Sequence, residues 1–140
     1  MQRTKLTWLI LGLFAGCVYG PGVGKSPLAR RPEGVDVSAS SQHGTFTGEL
    51  LEVRDAGLLL LVAPENANGN RIVLLPYGAI RAARFDKLGA GYGLTDGQPP
   101  MPATRERLRR VSRFPQGLSE DVLRRLLDAH GQTEVGRVPE

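Results

Sequence analysis

The sequence predicts a mainly β domain, a small five-stranded barrel followed by two short α-helices, and three observations carry that expectation. From Val35 to Phe85 apolar residues recur in short runs or at alternate positions, the signature of short strands with one or both faces buried. Turn-forming clusters such as Asp55-Ala56-Gly57 and Pro76-Tyr77-Gly78-Ala79 divide those runs, which keeps each strand short. Beyond Thr104 the apolar spacing lengthens to that of amphipathic helices.

The first element is an address. Leu6 to Phe14 holds one polar residue, follows Arg3 and Lys5, and leads into Ala15-Gly16-Cys17. Charged start, short apolar stretch and small residues are the layout of an export signal over 1–16. The stretch is too short for a spanning helix, which needs about 20 residues, and Gly20-Pro21-Gly22 would break any continuation. Cys17 is the only cysteine, so no disulfide forms within the chain and the fold rests on its apolar core. The segment resembles the signal of bacterial lipoproteins, with Phe14 where that family usually has Leu, Val or Ile. The resemblance implies cleavage before Cys17 and attachment of acyl chains, palmitate among them, to its thiol and new amino terminus. Two or more such chains anchor a protein stably. Val18 is not the Asp that resembles an inner-membrane retention signal, so a cell with two membranes would carry the protein on the outer one, facing the periplasm.

Residues 17–34 are rich in glycine and proline without apolar periodicity and are expected to be a flexible tether. Gly20 to Ser26 imitates a phosphate-binding loop, but the spacing needs glycine where Tyr19 stands, and Pro27 intrudes where a helix should start.

The β segment, 35–86, follows in order. Val35, Val37 and Ala39 alternate with polar residues as a first strand, and Ser41-Gln42-His43-Gly44 turns. Phe46, Gly48 and Leu50 share one face of a second strand, after which Leu51 and Val53 take over. That switch of buried face requires a bend or bulge, and Gly48 permits close backbone approach there. Leu58 to Val62 is a strand apolar on both sides. A polar loop from Pro64 to Asn70 follows, with Asn68-Gly69 favouring positive φ. Ile72 to Leu75 and Ile80 to Phe85 complete five strands, a set that suits closure into a small barrel.

Gly48 to Asp55 followed by Leu58 to Val62 is similar to the first motif of Sm-like proteins, and Leu74 to Ile80 looks like their second, in the form of bacterial Hfq. The likeness spans about fifty residues and implies the Sm-like barrel; an SH3-like barrel of other ancestry fits the same pattern. Hfq-type proteins bind RNA through a Gln-Phe pair after the first motif's Asp and a Lys-His pair before the second motif's Ala-Ile. Here Ala56 and Gly57 follow Asp55, and Tyr77 and Gly78 precede Ala79-Ile80. Neither the stacking aromatic nor the cation occupies its place, so no nucleic acid is expected. The family also forms rings in which the fourth strand of one subunit pairs with the fifth of the next. A ring, a dimer and a monomer all stay open.

Residues 87–103 are a Gly/Pro-rich connection whose Tyr92 and Leu94 can pack across the barrel. Residues 104–131 hold two short helices. Thr104 is placed to cap one over Arg105 to Phe114, where Arg105, Arg109, Arg110 and Arg113 share an arc opposite Leu108 and Val111. Such a basic face suits anionic head groups or envelope polymers; packed against the barrel, it is only a solvated arginine face. Leu118 and Ser119 open the second helix as staple and N-cap, with Glu120 and Asp121 at its positive end. Val122, Leu123, Leu126 and Leu127 form one face with His130, to be buried on the barrel or against a partner. Glu120–Arg124 and Asp121–Arg125 stand at ion-pairing spacing, and Gly131 stops the helix. Residues 132–140 read as a frayed tail.

Without Arg3 and Lys5, 18 less 2 cations face 14 acids, too small an excess to demand an acidic partner. His43 and His130 have no neighbours at metal-ligand spacing, and no nucleophile elbow is present. Glu49 and Glu52 fall on opposite faces of an ideal strand. The expectation is a non-catalytic, lipid-anchored envelope protein without cofactor or metal, tethering or scaffolding an envelope protein. The alternative is a binder of anionic polymer or lipid through 105–113, and the third reading is an Sm-like RNA-binding protein.

Overall fold

The computed structural model describes residues 33–63 and 69–140. The signal, Cys17, the tether up to residue 32 and the loop at 64–68 lie outside them. Seven strands and two helices follow in order: β1 Asp36–Ser41, β2 Gly44–Val53, β3 Gly57–Val62, β4 Arg71–Pro76, β5 Ile80–Phe85, β6 Leu94–Thr95, α1 Pro102–Val111, α2 Glu120–Ala129 and β7 Gly136–Arg137.

All seven strands join one sheet in the order β6-β5-β1-β2-β3-β4-β7. The expected five strands are therefore present and adjacent, but the sheet does not close into a barrel. β4 and β5 pair outward, with β7 in parallel and β6 in antiparallel. Backbone groups at a sheet edge need partners, and here the C-terminal part of the chain supplies them.

The turn chemistry is local. Between β1 and β2 the Ser41 hydroxyl accepts the His43 N–H at 3.0 Å and donates to the Gly44 carbonyl at 3.2 Å, while Gly44 takes φ +122°. Ladder pairing of β2 with β3 slips between Leu50 and Glu52. This is the bulge that the change of apolar phase predicts, and Leu51 is the extra residue. At Gly48 a Cβ would overlap the Leu61 carbonyl, so the close approach requires glycine.

The bulge divides the interior in two. Leu50 and Val53 join Val37, Leu58, Leu60, Leu75, Ile80 and Phe85 in a core on one side of the sheet, which Leu108 of α1 completes. Leu51 turns to the other side, where Leu59, Ile72 and Leu74 lie under Leu127 of α2, flanked by Phe114, Leu118, Leu123, Leu126 and Val135. β3 is apolar on both faces because each face has a cover.

Three boundaries differ from expectation. α1 starts at Pro102, with Met101 as N-cap and no side-chain cap, so Thr104 lies inside the helix. Proline at the first helical position lacks only an N–H that would be unpaired there anyway, and its φ is already helical. The 87–103 connection contains β6, whose Leu94 is buried, and a 3-10 turn at Ala90–Tyr92. Residues 132–140 are not frayed: they include β7, and Val138 is buried and donates its N–H to the Leu74 carbonyl at 3.1 Å.

α2 follows its sequence signals. Ser119 caps it by accepting the Val122 N–H, Glu120 and Asp121 occupy the first turn, and Gly131 takes φ +66° just past the C-cap His130. Asp121 pairs with Arg124 at 3.6 Å, one residue closer than the predicted spacing.

Candidate interaction surface

The strand ends carrying the two motifs meet at one corner. The β2–β3 turn closes with the Arg54 N–H on the Gly57 carbonyl at 2.9 Å, and the Tyr77 N–H reaches the Ala56 carbonyl at 3.2 Å. Tyr77 itself is buried, its hydroxyl donating to the Arg54 carbonyl at 2.9 Å. Burial pushes the phenol up to about 12. An aromatic ring so placed has no open face on which a base could stack. Arg105 of α1 reaches over the same corner and binds Asp55 at 2.9 Å. Its Nε is a buried nitrogen without a hydrogen-bond partner.

A second polar hub ties the tether's entry to β2 and to the chain leaving α1. One Glu49 carboxylate oxygen accepts the Gly34 N–H at 2.6 Å and the Arg113 Nε at 2.9 Å. Backbone bonds run alongside: Val35 N–H to Val111 O at 3.0 Å, Arg113 N–H to Leu50 O at 3.0 Å and Phe114 N–H to Leu51 O at 2.9 Å. The last two carbonyls belong to the bulge, so the irregularity in β2 supplies the acceptors that dock the helix exit. Burial raises the Glu49 carboxyl above its usual range, although the Gly34 hydrogen bond and Arg113 pull the other way.

The expected basic arc therefore divides, and because α1 ends at Val111, Arg113 lies beyond the helix. Arg105 is half-buried and paired with Asp55 of the β2–β3 turn, Arg113 is half-buried and paired with Glu49 of β2, Arg109 is half-buried, and Arg110 is exposed beside Glu106 at 3.4 Å. Glu49 and Glu52 are not on opposite faces. The extra residue Leu51 brings them to one face, across from Leu61 and Leu59 respectively. Each has its own partners, since Glu52 pairs with Arg54 at 2.7 Å and accepts the Leu118 N–H at 3.3 Å. Among the described residues no cluster of three or more His, Cys, Asp or Glu could hold a metal ion.

No protein family, curated protein or solved structure matches this chain.

Of the α2 face, Leu127 is buried, Leu123 and Leu126 are half-buried in the second core, and Val122 is exposed. Cys17 lies outside the described residues. Beside β1 and β5, Asp36, Ser38, Thr47, Arg84, Asp86 and Lys87 line an open groove of about 380 Å³. Among the described residues no helix is long and apolar enough to cross a membrane.

Sequence reasoning missed one arrangement, along the outer edge of β4. The Gln132 side chain accepts the Ile72 N–H at 2.6 Å and donates to the Ile72 carbonyl at 3.2 Å. Val73 and Leu74 then pair with Gly136 and Arg137. A primary amide presents a carbonyl and an N–H side by side, so Gln132 continues the ladder as a backbone peptide would. Val135 joins the second core and Val138 the first. The only trace in the sequence is that spacing of two valines, too sparse to read as a strand.

Proposed function

We propose that this chain is a lipid-anchored interaction module of the cell envelope that works without catalysis. The observation that carries this reading is the run from Leu6 to Phe14 ending in Ala15-Gly16-Cys17, followed by a tether and then a folded unit from Glu33 onward. Acyl chains on Cys17 would hold the chain at a membrane surface. The 15 residues 18–32 could extend to at most about 50 Å, enough to present the domain away from that surface.

The five central strands are proposed to be an opened Sm-like or SH3-like small barrel. Support comes from the order β5-β1-β2-β3-β4, from the bulge in β2, and from the 3-10 turn at Tyr77–Ala79 that links β4 directly to β5. RNA binding gains no support from the motif corner, where Tyr77 is buried and Arg105 is committed to Asp55. The anionic-polymer alternative retains Arg110 as an exposed cation of its arc.

The test is the intact mass of the mature amino terminus, taken from a membrane fraction of the native host. A chain beginning at Cys17 and carrying diacylglyceryl mass is expected. An unmodified Met1 in the soluble fraction would overturn the anchor and return RNA to consideration.

A further inference from the structure

The outer edge of β4 carries an inference about what the module binds. Edge strands present unpaired N–H and C=O groups that template another strand. β4 is covered on that side by a strap, Gln132 to Val138, held through a side-chain amide and a parallel ladder of two residue pairs. The strap begins one residue after Gly131, whose positive φ ends α2, and it lies outside the antiparallel ladders of the central strands.

We infer that the β4 edge is the module's docking site and that the strap is its intramolecular guard. The partner class is an extended polypeptide segment with two apolar side chains three residues apart, added to the sheet as a strand. The strap itself is the template for that chemistry. Val135 and Val138 enter the cores on opposite sides of the sheet, as side chains three apart on an extended strand must. Gly136 lies where a Cβ would meet only ordinary contacts, 3.5 Å from the Ile72 carbonyl and the Val73 side chain, so a partner need not match it. Main-chain hydrogen bonds would supply affinity and the two apolar positions specificity. The competing strap sets the threshold, since a partner binds only while the strap is displaced. This inference rests on the interaction-module reading and names its partner class.

The experiment uses the full mature chain with Cys17→Ser and a labelled synthetic peptide of residues 132–140, followed by fluorescence anisotropy. Gln132→Ala removes both amide bonds to Ile72, together with the one to the Glu134 carbonyl, and loosens the guard. It should bind the peptide about tenfold more tightly than the parent chain, the factor expected for hydrogen bonds lost from the competitor. Val73→Cys with Gly136→Cys joins a ladder pair by a disulfide, and the oxidised chain should not bind the peptide. Binding to this locked chain would place the peptide elsewhere and overturn the inference. Failure of a natively folded Gln132→Ala chain to bind would also overturn it. A concentration-dependent dimer of Gln132→Ala without peptide binding would make a second copy the occupant and overturn the partner class. An acylated Cys17 without peptide binding removes the docking edge alone; peptide binding with an unmodified Met1 removes only the anchor.

Discussion

Glu49 ties two separate segments of the chain to β2. Its carboxylate joins the entry of the chain at Gly34 to Arg113 beyond α1, and burial raises its pKa above the ordinary 4.5. A carboxyl with a raised folded-state pKa binds its proton more tightly in the folded chain than in the unfolded one. Its contribution to stability is then fully present below the unfolded value and falls as pH rises through the folded one. Glu49→Gln keeps an acceptor for Gly34 but cannot ionise. The stability of the parent minus that of Glu49→Gln should therefore decline as pH rises from about 4 toward neutrality, read from paired urea melts. A flat difference would mean that Arg113 fully offsets the burial of the charge. Sequence could not place this residue's role. Glu49 and Arg113 belong to separate elements, and the bulge that docks the helix exit acts through backbone carbonyls, which leave no mark on residue type.

At the scale of elements, legibility followed local periodicity. β1 to β5 were readable because alternation and turn residues agree, and the bulge was readable because Leu51 breaks the phase of Leu50. α2 was readable from Ser119, from its acidic first turn and from Gly131. α1 was misplaced by three residues because Thr104 offers a capping side chain while Pro102 supplies helical φ, and the proline prevailed. β6 and β7 span two residues each, too short for any period. Both exist because neighbouring edges offer hydrogen bonds. The same logic ranks positions on α2. Leu127, buried over Leu51 and Leu59, should cost about 2–5 kcal/mol when truncated to alanine, whereas exposed Val122→Ala should stay within about 0.5 kcal/mol. Chemical denaturation of the two variants checks this. Equal effects would mean that α2 is not seated on the sheet's second face.

For the molecule as a whole, the position of its charge decides between the remaining readings. Of 18 cations, five (Arg3, Lys5, Lys25, Arg30 and Arg31) precede Glu33, which leaves 13 against all 14 acids from Glu33 to Glu140. The folded part thus carries no positive excess, and three of the four arginines of the expected basic arc, Arg105, Arg110 and Arg113, are paired with its own carboxylates. The basic pI of 9.7 arises before the domain begins, within reach of the membrane surface that Cys17 would occupy. Cations close to an anionic leaflet contribute about 1 kcal/mol each, so Lys25, Arg30 and Arg31 could reinforce an anchor that the domain would not. The mature chain with Cys17→Ser, sedimented with phosphatidylserine-containing vesicles, separates the two sources. Replacing Lys25, Arg30 and Arg31 by glutamine should remove most of the salt-sensitive attachment, and Arg110→Gln should change it by less than about 1 kcal/mol. The opposite ranking would give the membrane contact to α1 and restore the basic helix as the binding element. Salt-insensitive attachment of both variants would take electrostatics out of the contact, because exposed charges act through an ionic atmosphere that added salt collapses.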